Sequence, residues 1–371
     1  MKEKKKTIIA IVAAVFVVAI IASYFVMKYQ TYNHIEIVET YENKNKANAN
    51  YVSCMGGVLR YSRDGVALLG KTGKQKWNQP CQMGNPIVEM SEESVIVADK
   101  GGTTILVFQE KGLKGEIKTT RTIEKVSVSE KGIVSAILKD DETPQVMCYD
   151  AEGEILVEHK VSVNKMGYPM DVALSGDGKT LIVSYLKTDG KKMISKVVYY
   201  YFGENSNAEK NHIVYQQDFE NAIVPVAAFL DSETSLLVAD NALLFMNGLK
   251  KPEKVARVEL SQEIQSVAYD DKMVAVVMRS EGETAYKLHI YNKKGKELAA
   301  VDVDKEYTRM KVEKNQVLLF DGQMCSIFLV NGVHKFEGKV DENILDIFPL
   351  GGMNQYMLIT ANGFRETRLS K

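Results

Sequence analysis

Tryptophan occurs once in 371 residues, proline seven times and cysteine four times. Arginine is scarce too: eight of the 47 basic residues are Arg, at 60, 63, 121, 257, 279, 309, 365 and 368, and the rest are Lys. Each scarcity excludes something. So few arginines remove bidentate phosphate or carboxylate recognition as a theme. A formal net charge of −1 lacks the basic excess of a nucleic-acid binder, so no nucleic-acid partner is expected. Cys54, Cys81, Cys148 and Cys325 show no CxxC or other metal spacing. They read as small buried hydrophobes, with a Cys54–Cys81 bridge left open. His34, His159, His212, His289 and His334 form neither HxH nor HExxH, and the chain holds no GxSxG and no GxxxxGK[ST]. Gly176-Asp177-Gly178 and Asp302-Val303-Asp304 are acidic enough to consider for Ca²⁺, but neither fits an EF-hand loop, and turn chemistry accounts for them first. Asp150, Asp240 and Asp321 are turn residues for the same reason. No catalytic, cofactor-binding or metal-ligating residue is assigned, and no cofactor is expected.

What the chain does have is one long apolar run. Residues 2–6 (KEKKK) carry a net +3, and residues 7–27 (TIIAIVAAVFVVAIIASYFVM) follow without a charge. At ~1.5 Å per residue such a helix is about 31 Å long, matching a bilayer's hydrocarbon core. Tyr24 and Tyr29 fall where an interfacial aromatic belt sits, and Lys28 closes the span. A cleaved signal peptide has a shorter apolar region and a small-x-small cleavage site, whereas a cut after Ala22 puts Ile20 at the −3 position. The reading is therefore a basic cytoplasmic tail (1–6), a transmembrane signal anchor (7–27) that makes the cell membrane a partner, and everything beyond outside the cytoplasm. Removing the net +3 of residues 2–6 from the formal −1 leaves the remainder at −4, mildly acidic. Residues 28–50 read as a stalk, polar around ENKNKANAN (42–50), with a possible strand HIEIVET at 34–40.

The remainder repeats. A strand leading into a glycine turn recurs at Gly73, Gly112, Gly153, Gly203, Gly248, Gly295 and Gly332, at intervals of 37 to 50 residues. A second turn precedes each, at Asp64-Gly65, Asp99-Lys100-Gly101, Asp140-Asp141, Asp189-Gly190, Asp240-Asn241, Glu281-Gly282 and Asp321-Gly322, with Asn362-Gly363 in the final unit. Buried-looking strands such as VIVAD, LLVAD and VLLFD lead into them. A third turn lies upstream, so each unit is a four-strand antiparallel meander. That spacing predicts an all-β fold: a β-propeller, over residues 51–371. Units begin near Asn50, Pro86, Glu124, Met170, Pro225, Gln265, Thr308 and Leu345, which gives eight blades, with seven as the alternative. The last unit lacks a fourth strand, and HIEIVET is the obvious donor to close the ring. Residues 205–219 (NSNAEKNHIVYQQDF) are expected to form a long outer hairpin, and oligomeric state is left open.

With strands placed, DGVALLGKTGKQKW (64–77) resembles a blade of the quinoprotein-alcohol-dehydrogenase-like propellers, through Gly65, Thr72-Gly73-Lys74 and Trp77. VALSGDGKTLIVSY (172–185) looks like the WD-type variant of the same turn. Anchor plus divergent propeller is similar to membrane-anchored propellers of unknown function in Gram-positive anaerobes. Related propeller lipoproteins act as envelope assembly scaffolds, and the resemblance implies a similar role. A quinone enzyme needs several tryptophans against its cofactor, whereas Trp77 reads as a packing residue between blades. The expected function is a non-enzymatic, membrane-tethered binding or scaffold module for a cell-envelope protein or wall polymer. The alternatives are a glycan-processing hydrolase or lyase with carboxylates in the central funnel, and a ligand sensor acting through partner membrane proteins.

Overall fold

The computed structural model describes residues 2–42, 49–190, 192–204, 211–281 and 285–371, with the side chains of 2–10 and 42 outside the description. The KEKKK side chains, Gly282 of the Glu281-Gly282 turn, most of ENKNKANAN and residues 205–210 therefore lie outside the described residues. The chain folds as eight four-stranded antiparallel sheets. Their first strands begin at Asn50, Pro86, Ile123, Tyr168, Val226, Ile264, Arg309 and Asp346, each within two residues of the unit start read from the sequence. First strands of blades 2 and 3, 3 and 4, 4 and 5, 6 and 7, and 8 and 1 contact one another, most extensively in blades 3 to 5, which places the first strands on the inner ring.

Strand position explains strand composition. A second strand is covered by blades on both sides and reads as a continuous apolar run: Val134–Leu138 and Thr234–Ala239 are buried throughout. A fourth strand faces solvent with one side, and Gln75–Pro80 and Ile155–Lys160 alternate accordingly. The hairpin from third to fourth strand carries a register shift in each of blades 1 to 7. In blade 1 this is the Gly70–Lys74 turn, where Gly73 sits at φ 75° and donates its N–H to Gly70 O at 2.9 Å. Only glycine takes that conformation freely, which is why the sequence repeats a glycine there.

The N-terminal strand closes the ring. His34–Glu42 pairs antiparallel with Gly363–Ser370, from His34 opposite Ser370 to Glu42 opposite Gly363, as the fourth strand of blade 8. Just before it, Tyr32 (4 % exposed) packs with Phe336 of blade 7 and Leu369 of blade 8, sealing the seam.

Two expectations need correction. Residues 28–33 are no stalk: the apolar N-terminal helix runs Lys2–Tyr29, and the short link after it is pinned to the propeller. Lys335 Nζ donates to Met27 O and Lys28 O, each at 2.8 Å, so a cation caps the exposed carbonyls of the helix end. Tyr32 Oη donates to Met27 O at 3.0 Å and accepts from Asn354 Nδ2 at 2.8 Å. Of 205–219, expected as one outer hairpin, residues 205–210 lie outside the described residues and the later part belongs to blade 4. Ile213–Glu220 is the fourth strand of blade 4, held by the pairing of Val198 with Gln216 and Tyr199 with Tyr215. The polar residues before it masked a strand whose outer face is solvated. A one-turn helix, Val163–Met166, joins blades 3 and 4.

Candidate functional site at the channel mouth

All eight first strands run the same way around the ring, so their carboxyl ends collect at one mouth of the central channel. Strands alternate in direction within a meander. The turns from first to second and from third to fourth strand therefore share this face, while the second-to-third turns share the other. Here opens a cavity of about 790 Å³, spanning the inner strands of blades 2 to 6. Its wall carries Glu89, Lys125, Asp171 and Tyr269, one from each of blades 2, 3, 4 and 6. Counted with the rim, seven carboxylates line it against two lysines.

Most of these charges are already engaged. Asp171 is 9 % exposed, accepts from Ala227 N at 2.9 Å and faces Lys125 Nζ at 3.5 Å. Burial raises its pKa, and Lys125 and the backbone donors oppose that rise. On the rim, burial pulls Asp231 upward, but Lys293 Nζ at 2.5 Å and the N–H groups of Glu233 and Thr234 outweigh it and bring the carboxyl to about 2. Farther round the ring Lys311 pairs with Asp346 at 2.9 Å. Glu89 forms no ion pair among the described residues. Its side chain is exposed to channel solvent, while the inner strands of the ring surround it. That enclosure, aided by repulsion from Asp171 and opposed by Lys125, pushes its pKa up to about 7. The Tyr269 phenol is raised by the same enclosure and by both carboxylates.

The residues singled out in the sequence lie elsewhere. Trp77 stacks on Phe108 of blade 2 (centroids 4.9 Å, 5° between planes), and its Nε1 donates to Glu110 O at 3.1 Å. It is a packing residue between blades, as expected. Among the described residues no three His, Cys, Asp or Glu form a group suited to a metal. Asp177 Oδ1 accepts from Ser175 Oγ and Lys179 N within its own turn, and Asp302 faces Lys287. All four cysteines are free: Cys148 and Cys325 are buried, while Cys54 and Cys81 are only half-buried in one cluster. His289 bonds Glu297 at 2.6 Å, His334 bonds Ser326 at 2.8 Å, and His159 and His212 meet at a separate cavity. The site residues Glu89, Lys125 and Asp171 were missed. The signal available was a charge inside strands otherwise read as apolar: PIVEM, KVSV and DVALS.

Eight closed blades behind one N-terminal apolar helix define the class: an all-β, eight-bladed propeller with a candidate membrane span, Ile11–Tyr29. The chain belongs to a family of unknown function, DUF5711, whose profile matches residues 28–369. Among solved structures it is similar to the crystal structure of BamB from Moraxella catarrhalis. Identity is 12 % and TM-score 0.54, covering 91 % of this chain and 98 % of that one, a likeness of fold alone. The Neurospora crassa Pan2 WD40 domain matches at 8 % identity and TM-score 0.47, over 77 % of this chain and 89 % of that one, and carries no argument. A search of curated proteins found no match.

Proposed function

We propose that the chain is a single-pass, membrane-tethered propeller standing outside the cytoplasm, and that it acts as a non-enzymatic scaffold whose channel mouth receives a cationic segment of a cell-envelope protein or polymer. The observation that carries this reading is the lining of the mouth, seven carboxylates against two lysines in a cavity of about 790 Å³. Such a concave field concentrates positive charge and repels anions. The anchor supports the same reading. Lys335, at the start of the fourth strand of blade 7, holds the helix end, and Asn354, in the first turn of blade 8, holds Tyr32 just after it, so both contacts sit on the mouth face. Mouth and anchor share a face, which directs the mouth toward what lies near the membrane. The basic residues 2–6 ahead of the span support an outside propeller.

Binding of a lysine-rich peptide to the full-length chain in detergent tests this. Affinity is expected to fall with rising salt and to drop about tenfold when Glu92, Asp270 and Asp271 are neutralised together. Salt-independent binding, or binding indifferent to the triple variant, contradicts it.

A second reading has one observation in its favour. Glu89 shares the channel wall with Asp171, and a carboxyl that its surroundings push up to about 7 suits a general acid in glycan cleavage. Asp171 is the weaker partner, because both its oxygens are occupied. Release of reducing ends from a wall glycan, abolished in Glu89→Gln, supports this reading; no release from any wall fraction removes it.

A further inference from the structure

A second cavity, of about 450 Å³, opens at the outer edge between blades 3 and 4, away from the channel. Its floor is apolar, with Val146, Val157 and Leu181. Along one wall four rings stand in an unbroken row. His159 lies 5.6 Å from Tyr200, Tyr200 lies 6.4 Å from Phe202, and Phe202 lies 5.2 Å from His212. The Tyr200 hydroxyl is taken by Tyr185 at 3.0 Å, so the row is braced from behind.

Two ring nitrogens in this row, His159 Nε2 and His212 Nδ1, are buried with no hydrogen-bond partner among the described residues. Buried polar groups are nearly always paired, and an orphan asks what completes it. Two at one cavity ask the same question. The backbone adds a third observation. Asn211 and His212 both adopt left-handed conformations (φ 50° and 61°), where a tight hairpin favours Asn followed by Gly. An imidazole at the glycine-favouring position costs backbone strain of about 1 kcal/mol and places a ring on the cavity.

The lining selects among ligand classes. Among the described lining residues there is no Lys or Arg, and Glu158 at the edge disfavours anions. Among the described lining residues a cation would meet one carboxylate, Glu158, already shared with Lys160 and Gln145. Burial holds His159 below its ordinary range, so its ring is neutral at pH 7, able to donate and accept. An aromatic wall, two imidazoles, an amide and one carboxylate are the complement of a polyhydroxylated ring. Its C–H face lies on Phe202, and its hydroxyls partner the ring nitrogens, Asn211 and Glu158. A volume of about 450 Å³ admits one or two such rings.

We propose that this cavity between blades 3 and 4 binds a neutral sugar ring, independently of the channel mouth. With only five histidines, the ring protons of His159 and His212 are resolvable by NMR in the full-length chain held in a sugar-free detergent. The probes are methyl β-glucoside and methyl N-acetyl-β-glucosaminide, with indole as the aromatic comparison. At least one sugar is expected to shift the His159 and His212 signals saturably, leaving His34, His289 and His334 in place. His212→Gly keeps the left-handed backbone without strain and Phe202→Leu keeps apolar volume. Each should weaken that binding about tenfold, with the fluorescence of the single tryptophan unchanged as proof of folding. No shift with either sugar, saturation by indole alone, or undiminished sugar binding in both folded variants overturns the proposal.

Discussion

At the residue scale, the place of Glu89 in the channel sets an expectation for how the propeller's stability responds to pH. Its pKa rises from an ordinary 4.5 to about 7, so between those values the folded chain holds a proton that the unfolded chain has released. The folded state binds more protons there, and its stability falls as pH rises through that window. Asp171, which faces it with Lys125 and Tyr269, is raised as well and acts in the same direction. Glu89→Gln removes the first of these dependences. The variant's melting temperature should gain on the wild type as pH is raised from about 4.5 to 7, and hold that gain above. Channel solvent reaches Glu89 and screens it, so the gain is at most about 1 kcal/mol. A constant difference across the range would mean that Glu89 titrates as an ordinary surface acid. Trp77 gives the opposite lesson. Its place in a turn-strand repeat already pointed to packing, and the stacked Phe108 bears that out.

At the scale of elements, turns were the most legible feature and outer strands the least. Gly73, Gly112, Gly153, Gly248, Gly295 and Gly332 all lie at positive φ, a backbone demand that the sequence cannot disguise. Inner strands began where the apolar pattern said. Ile213–Glu220 was misread because a fourth strand buries one face only and its preceding residues are polar. The pinned helix end was invisible for another reason. Lys335 meets Met27 and Lys28 across some 300 residues of sequence, and no local pattern announces such a contact. The closing strand was legible because the last unit came up one strand short. Deleting residues 34–42 should expose the edge of Gly363–Ser370 and lower the melting temperature by several degrees, and a synthetic peptide of 31–42 should restore it. Unchanged melting after the deletion would mean that the ring holds without its eighth outer strand.

For the whole molecule, topology does what no single motif does. Eight parallel inner strands gather their ends at one mouth, and the same alternation of strand directions brings the contacts of the apolar N-terminal helix to that face. Fold class and blade count follow from spacing along the chain. The site follows from which charged residues of separate strands, Glu89, Lys125 and Asp171, converge across a ring, and one sequence read end to end carries no record of that convergence. The central claim is that this mouth, and not the opposite face, meets the partner. Photo-crosslinking in intact membranes tests it most directly, with a benzoylphenylalanine placed at Ser232 on the mouth rim or at Asn241 on the far face of the same blade. The account predicts adducts with an envelope component from Ser232 and none from Asn241, lost when Glu92 and Asp271 are changed to Lys. Adducts from Asn241 alone, equal adducts from both positions, or adducts indifferent to the charge reversal would contradict it.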